Sequence, residues 1–384
     1  MIADVEATAR VVENAKAPED VFGSIEGSTV ASRLRAVASR YRAIVQAIHP
    51  DRFIDDPVDF QRANAVLMRL TSWRTQAEDK IRAGTYGDRS AASPLPTPTP
   101  GPRVIRAPRR QYVVAETIAS GDVADVYACT YQDEKKERSA VLMIAQNQAD
   151  NGLLENESKT LSQLYQAGQA EVGFFRYLPM PIDSFVLKSP SGSLRRANVI
   201  QRAVGHVSLA DVAAAYPTGL DFRDVAWMLK RALAAIGLVH RQGIVHGAIL
   251  PPHVMVHPSG HSAKIVDWCY AAPVGSKVRA LSKPYRDFYA PEIPGKKPVR
   301  ASTDVYMLAK CAVALLGGHV PTNEVPASVP RPIHDFLRGC LLLAPGSRPD
   351  DAWALHEEFD ELLLRIVGKP RYRELVMPPK GRAS

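Results

Sequence analysis

Two stretches in the first ninety residues repeat apolar residues every three or four positions, which is the spacing of one helix face. The first ends before Pro50, because proline disfavours helical geometry at the residue before it. The second begins a short loop later, and residues 1–17 suit a short amphipathic helix. The first stripe is Val30, Leu34, Val37, Tyr41, Ile44 and Ile48, and the second is Ala63, Val66, Leu67, Leu70, Trp73, Ala77 and Ile81. The pattern predicts an antiparallel helical hairpin with an apolar seam.

A proline-rich stretch separates the hairpin from the rest of the chain. Its prolines are Pro94, Pro96, Pro98, Pro100, Pro102 and Pro108. Closely spaced prolines favour an extended, semi-rigid spacer. The sequence therefore predicts an extension at 1–17, an all-α domain at 18–88, a linker at 89–111, a second domain at 112–368, and a basic tail at 369–384 that is disordered or draped on the surface.

Charge and composition narrow the class of protein. The chain has 384 residues, a formal net charge of +8 and 46% hydrophobic residues. Residues 89–111 hold five arginines and no acidic residue, so the excess charge lies mostly in the linker and nucleic acid is not an expected partner. Four widely spaced cysteines without a C-x-x-C pair favour a reducing compartment. With no signal-peptide pattern and no apolar run of membrane-spanning length, we expect a cytoplasmic protein without a membrane partner.

The most informative motif lies at 245–267, where the chain reads V-H-G-A-I-L-P-P-H-V-M-V, a Pro-Ser-Gly turn, and then A-K-I-V-D. It resembles the catalytic loop H-R-D-L-x-x-x-N and the metal-binding D-F-G of protein kinases. Aligned on His246, Ala248 stands at the catalytic aspartate and His253 at the metal-binding asparagine. Asp267 keeps the position of the metal-binding aspartate. The resemblance implies that the kinase fold is retained, while most of the residues that carry out phosphoryl transfer are missing.

Other kinase motifs follow in the order typical of that family. Gly121 is the glycine that this chain keeps from the glycine-rich loop of kinases. Met143 occupies the position of the lysine that binds the α- and β-phosphates of ATP. Glu157 matches the helix glutamate that pairs with that lysine, so we expect it to be solvated or bound to another group. Trp268 replaces the D-F-G phenylalanine and is expected in the core. Three structural positions are also matched, namely Glu292 of A-P-E, Asp304 and Arg348.

The resemblance implies a bilobal α+β kinase-like fold that lacks its proton acceptor, its lysine and one metal ligand. On this basis the domain is expected to be a pseudokinase and not an enzyme. It is expected to need no cofactor. Gly121, Asp267 and the backbone of residues 199–209, which resemble the hinge between kinase lobes, nevertheless leave ATP with Mg²⁺ as an alternative. No metal site is expected, because a Pro-Ser-Gly turn breaks the helix that the three histidines between 253 and 261 would need for zinc.

The helical hairpin resembles a J-domain, the module by which co-chaperones engage chaperones of the DnaK type. The likeness rests on V-F-G, on a helix without acidic residues that ends in A-I-H-P-D-R-F, and on a matching second helix. It implies that His49, Pro50 and Asp51 stimulate ATP hydrolysis by the chaperone, while four arginines meet its acidic surface. These are Arg33, Arg35, Arg40 and Arg42. The structural alternative is that Pro50 only ends a helix and the arginine stems cover apolar surface.

These motifs predict a cytoplasmic co-chaperone or adaptor with two partners. The J-domain-like part would stimulate a DnaK-type ATPase, and the kinase-like part would bind an unidentified client protein. Two alternatives stay open. One is a divergent kinase that uses Asp267 for phosphoryl transfer, and the other is a scaffold in which neither module is catalytic.

Overall fold

The structure is a computed structural model that describes residues 2–48, separate positions from 66 to 87, and residues 103–134, 136–167, 174–188, 192–369 and 371–378. Contacts within the chain define two compact units, Met1–Pro100 and Gly101–Ser384. None of the helices in the described ranges has the length and apolar character needed to cross a lipid bilayer.

The described residues of the first unit include three helices up to residue 48 and further helical positions between 66 and 82. They are α1 (Ile2–Asn14), α2 (Pro18–Phe22) and α3 (Val30–Ile48). Proline suits the first position of α2, where its missing N–H has no helical partner. The unit encloses one apolar cluster that includes Val12, Phe22, Val37, Ile48, Leu70, Ala77 and Ile81. The turn of the predicted hairpin lies outside the described residues.

Polar contacts connect the start of this unit to its last part. The indole Nε1 of Trp73 donates to the carbonyl oxygen of Val12 at 3.3 Å. Lys80 Nζ lies 2.7 Å from the Glu19 carboxylate, and the Glu19 side chain is buried. These contacts make α1 and α2 part of the same packed unit as the positions from 66 to 87.

The second unit begins with a six-stranded antiparallel sheet, which we call the sheet lobe (residues 103–201). Its strand order is β1-β2-β3-β4-β6-β5. The strands are β1 (Arg103–Arg106), β2 (Gln111–Ser120), β3 (Ala124–Asp133), β4 (Lys136–Ala145), β5 (Pro181–Lys188) and β6 (Leu194–Gln201). β1 lies within the range 89–111 that the sequence assigned to the linker. It pairs with β2 from Arg103 opposite Val114 to Arg106 opposite Gln111, so part of that range belongs to the sheet.

A single long helix, α4 (Asn151–Ala167), packs against the sheet. Its buried side chains are Leu154, Glu157, Thr160, Leu161 and Leu164. Each of these five lies three or four residues from another member of the set, as expected of a stripe facing a core. Glu157 lies in that stripe and is the carboxylate that α4 carries toward the candidate site.

The rest of the chain forms a helical lobe (residues 207–378). Its helices are α5 (Leu209–Ala215), α6 (Phe222–His240), α7 (Ala301–Leu315), α8 (Arg331–Cys340) and α9 (Ala352–Val367). Its short strands are β7 (Val207–Ser208), β8 (Ile244–Val245), β9 (Val254–His257), β10 (Ser262–Ile265) and β11 (Ala272–Pro273). Asp221 caps α6 by accepting the N–H of Arg223 at 2.9 Å. A curled antiparallel sheet followed by helices is compatible with the predicted bilobal kinase-like α+β fold.

The described part of the tail, residues 371–378, lies along the helical lobe. The Arg373 guanidinium forms two hydrogen bonds to Asp224, at 3.0 and 3.1 Å. Leu375 is buried in the main apolar cluster. This part of the tail is therefore draped on the lobe, one of the two states expected from its sequence.

Candidate active site

One buried carboxylate holds the backbone of the catalytic-loop motif. Asp304, on α7, accepts the N–H of His246 at 2.7 Å and the N–H of Gly247 at 2.9 Å. Its Oδ2 also lies 2.9 Å from Nε2 of His240. A buried carboxylate needs such partners to offset its loss of water. The loop is thus fixed in place although Ala248, at the centre of the motif, carries no reactive group.

Gly247 adopts a backbone conformation that no larger side chain fits. Its φ is +74°, in the left-handed region that favours glycine. A Cβ at this position would lie 2.8 Å from the carbonyl oxygen of Tyr270 and 2.8 Å from Cγ2 of Val278. The glycine at the family's arginine position is therefore required by the packing of the segment after Asp267.

His253 connects the catalytic loop to Asp267. Its Nδ1 lies 2.9 Å from the carbonyl oxygen of Ala248, and its Nε2 lies 3.0 Å from Oδ2 of Asp267. Two acceptors at the two ring nitrogens require both nitrogens to carry a proton. Burial opposes that charge, but the charge and hydrogen bond of Asp267, the hydrogen bond to Ala248 and the charge of Glu157 together raise the pKa of His253. His253 therefore places a cation beside Asp267, at the position where the family carries asparagine.

Asp267 lies in a strained and charged environment. Its φ of +62° is rare for a residue other than glycine, and such strain is found at functional sites. Burial would raise its pKa, but the charge and hydrogen bond of His253 lower it to about 2. Asp267 is therefore ionised at neutral pH.

Glu157 and Cys269 accompany Asp267. One ligand atom from each of the three side chains lies within 4.8 Å of the others. Burial, together with the charge of Asp267, raises the pKa of Glu157 to about 7. Burial also raises the pKa of Cys269, so its thiol stays protonated and is a poor ligand. Since Mg²⁺ prefers carboxylate oxygens, Asp267 and Glu157 are the residues that fit such an ion, where the sequence had suggested Asp267 alone as a possible ligand of Mg²⁺.

Asn198 takes the place of the lysine as the partner of Glu157. It lies on β6 opposite Met143 on β4. Its Nδ2 donates to Glu157 Oε2 at 2.9 Å and to the carbonyl oxygen of Leu154 at 2.7 Å. The backbone N–H of Trp268 donates to Glu157 Oε1 at 3.3 Å. Sequence reasoning missed Asn198, although one amide in the otherwise apolar run A-N-V-I was the available signal.

The loop that holds Gly121 contacts the segment before A-P-E through a carboxylate. Asp122 follows Gly121, and its Oδ2 accepts the hydroxyl proton of Ser282 at 2.8 Å. The carbonyl oxygen of Gly121 accepts from Nε2 of Gln146 at 2.7 Å. The tip of the loop is therefore fixed both to β4's end and to the segment that precedes A-P-E. This contact was not predicted.

The remaining kinase-like positions are buried and structural. Trp268 is fully buried and meets His246 edge-on, with ring centroids 4.5 Å apart. Arg348 binds Glu292 through two parallel hydrogen bonds, at 2.7 and 3.0 Å. Both partners of this ion pair have side chains no more than 1% exposed. It ties the A-P-E motif to the segment before α9.

The four arginines proposed to contact a chaperone fall into two pairs on α3. Arg33 donates to the carbonyl oxygen of Tyr86 at 3.2 Å, and Arg40 donates to the carbonyl oxygen of Phe22. Arg35, Arg40 and Arg42 are exposed, whereas Arg33 is partly buried. Each pair is seven residues apart and so shares one helix face. The predicted trigger residues His49, Pro50 and Asp51 lie outside the described residues.

No protein-family model matches the chain. Three distant curated relatives align with its C-terminal part. Serine/threonine-protein kinase PAK 5 of Rattus norvegicus is 24% identical over 172 residues, which are 40% of this chain and 24% of that protein. Calcium/calmodulin-dependent protein kinase type 1 of Caenorhabditis elegans is 22% identical over 225 residues, 58% of this chain and 60% of the relative. Serine/threonine-protein kinase PkaB of Streptomyces coelicolor is 28% identical over 159 residues, 35% and 38% of the two chains. These relatives support a kinase-like fold, and this chain spans less than two thirds of each.

The relatives correct one prediction. All three are named as protein kinases, which points to a kinase enzyme, so the prediction that the chain is not an enzyme is wrong. That prediction judged Met143, Ala248 and His253 one aligned position at a time. It took no account of polar groups that other elements bring to the site, such as Asp122 and Asn198. Because protein kinases use ATP with Mg²⁺, the names also weaken the expectation that no cofactor is required.

Proposed function

We propose that the second unit is a divergent protein kinase that transfers a phosphoryl group from ATP to a protein hydroxyl. The observation that carries this proposal is the carboxylate pair formed by the buried Glu157 and the partly exposed Asp267, beside a catalytic loop that Asp304 fixes. The names of the relatives support the same reaction class. Phosphoryl transfer depends mainly on positioning and on charge stabilisation, and both are properties of this arrangement.

Different residues would bind the metal ion and stabilise the phosphate charge. Mg²⁺, when bound, neutralises phosphate charge, and Asp267 and Glu157 are the side chains that would hold it. His253 is a cation beside Asp267, so it provides positive charge that Met143 does not. The proposal therefore assigns charge stabilisation to His253 and metal binding to the two carboxylates.

Asp122 is the candidate proton acceptor. General-base catalysis needs a carboxylate or imidazole within hydrogen-bonding reach of the hydroxyl that loses its proton. Asp122 meets this requirement toward a serine hydroxyl, that of Ser282, at 2.8 Å. We infer that a substrate hydroxyl takes the place of Ser282 at Asp122 and that the carboxylate accepts its proton. This role replaces the one that Ala248 cannot perform.

The test is a transfer assay with the full-length protein, radiolabelled ATP, Mg²⁺ and a pool of serine-containing peptides. We expect label transfer that Asp267→Ala abolishes and that Asp122→Asn slows by about 10²-fold or more. Asp133→Asn, at the far end of the β3–β4 hairpin, serves as the matched control and should transfer normally. Absence of transfer, together with no rise in melting temperature on adding ATP and Mg²⁺, would remove the proposal.

A second candidate function concerns the first unit, which we propose acts as a J-domain toward a DnaK-type chaperone. It is favoured by the exposure of Arg35 and Arg42 on one face of α3, beside the end of the helix that precedes His49. Arg33 and Arg40 bind carbonyl oxygens of their own unit. The acidic surface of the chaperone would therefore be met by Arg35 and Arg42.

This candidate is tested by the ATP turnover of a purified DnaK-type chaperone with and without the protein. We expect faster turnover, with the increase lost in Asp51→Asn and reduced in the double variant Arg35→Glu, Arg42→Glu. Lys159→Glu, on an exposed face of α4, controls for a change of charge elsewhere. Equal turnover with and without the protein would eliminate the J-domain function and leave the kinase proposal untouched.

A further inference from the structure

A groove on the sheet lobe takes no part in the proposed phosphoryl transfer. We call it the β1 groove, and β1 lines it together with Tyr127, Ile144, Leu187, Lys188 and Arg195. Its volume is about 280 Å³. That is below the roughly 300–1,000 Å³ typical of sites for drug-sized ligands, so the groove suits a few side chains. None of the candidate active-site residues lines it.

The rim of the groove is cationic and largely without counter-charge. Arg103, Arg106 and Lys188 are exposed, and no carboxylate among the described residues forms an ion pair with any of them. Arg195 lies 3.7 Å from the Asp125 carboxylate, a partner on β3. The Arg103 guanidinium lies over the ring of Tyr127, 5.7 Å from its centroid. Charge complementarity therefore calls for an anionic occupant.

The walls of the groove are the two edge strands of the sheet. β1 pairs with β2 and β5 pairs with β6, and the described strands leave the other side of each without a partner. Edge strands present free backbone N–H and C=O groups that a further strand can bind. Charged residues at an edge also discourage aggregation. That role explains the cations but does not explain an apolar floor of Tyr127, Ile144 and Leu187 between them.

We propose that the β1 groove binds an extended segment of another protein in which acidic and apolar residues alternate. Successive side chains of a strand point to opposite sides, so the apolar residues would lie on the floor while the acidic residues meet Arg103, Arg106 and Lys188. The backbone of the segment would pair with a free edge. This site gives the sheet lobe a partner surface that is separate from both proposed activities.

The test is fluorescence anisotropy of labelled, end-capped ten-residue peptides with the full-length protein at physiological salt. A peptide of alternating Glu and Val should bind. A peptide of alternating Glu and Ser should bind at least tenfold more weakly, because it offers nothing to the floor. A peptide of alternating Lys and Val should not bind. Equal binding of the Glu–Val and Glu–Ser peptides would show that only nonspecific charge attraction acts at the groove, and it would overturn the proposal.

Variants locate the site. The double variant Arg103→Glu, Arg106→Glu should weaken binding of the Glu–Val peptide at least tenfold, whereas Arg109→Glu, Lys136→Glu, with the same change of charge on exposed positions outside the groove, should change it less than twofold. Lys188→Glu provides the same comparison on β5 if the β1 variant does not fold. Equal effects of the two double variants would refute the site. Tighter binding of a single-stranded oligouridine that displaces the peptide would assign the groove to nucleic acid and refute the proposal as well.

Discussion

Replacing Arg348 with alanine is expected to lower the free energy of unfolding of the second unit by about 3–5 kcal/mol. The substitution leaves Glu292 as a buried charge without its bidentate partner, since the two side chains are 0% and 1% exposed. It also removes the hydrogen bond from Arg348 to the carbonyl oxygen of Leu343 at 2.8 Å. Urea unfolding followed by tryptophan fluorescence measures the change.

The matched control is Arg338→Ala. Arg338 pairs with Asp335 at 2.9 Å, but the arginine side chain is 70% exposed. Exposed ion pairs contribute about 0–1 kcal/mol, so this variant should unfold almost like the parent. If both variants lost a similar amount of unfolding free energy, the buried ion pair would contribute no more to stability than an exposed one.

Replacing Glu157 with glutamine is expected to change how stability depends on pH. The pKa of Glu157 rises from 4.5 in the unfolded chain to about 7 in the fold. Between these values the folded state binds a proton that the unfolded state lacks, so the contribution of Glu157 to stability falls as pH rises. Each pKa unit corresponds to about 1.4 kcal/mol. Glutamine does not titrate and removes this contribution.

His246 acts in the opposite direction over an overlapping range. Burial lowers its pKa from 6.5 to about 4, so its contribution is complete above 6.5 and is lost as pH falls toward 4. In the parent the two contributions oppose each other between 4.5 and 6.5. In Glu157→Gln the contribution of Glu157 is absent, so stability should rise with pH more steeply than in the parent, by about 1.4 kcal/mol per pH unit.

Urea unfolding at pH 4.5, 5.5, 6.5 and 7.5 tests this expectation. The control is Glu155→Gln, two residues earlier on α4, where the carboxylate is solvated and Lys159 lowers its pKa. The control should keep the slope of the parent in the window above pH 4.5. Parallel curves for the parent and Glu157→Gln would contradict the raised pKa of Glu157.

Sequence patterns located the elements whose determinants are local. The apolar stripe from Val30 to Ile48 indicated a helix, and the structure describes α3 over the same residues. The start of α6 also has a local determinant, since Asp221 caps it by accepting the N–H of Arg223. Both helices depend on apolar spacing or on capping residues, which act within a few positions along the chain.

The contacts that define the candidate site were not predictable in the same way. Asn198 meets Glu157 across 41 positions of sequence, and Ser282 meets Asp122 across 160. No periodicity encodes a pairing over such distances. β1 was assigned to a spacer because proline and arginine dominate its surroundings, yet Ile105 is buried in the sheet's own apolar cluster. One buried isoleucine in four residues is too weak a pattern to indicate a strand.

Gly247 constrains the engineering of this domain. Installing an Arg-Asp dipeptide at 247 and 248 would force a side chain into the carbonyl oxygen of Tyr270 and the methyl group of Val278, each 2.8 Å from the first added carbon. Placing the two residues that protein kinases carry there therefore cannot succeed by those two substitutions alone. It would also need a smaller residue at 278 and a shifted peptide at 270, because the packing around Gly247 excludes a side chain.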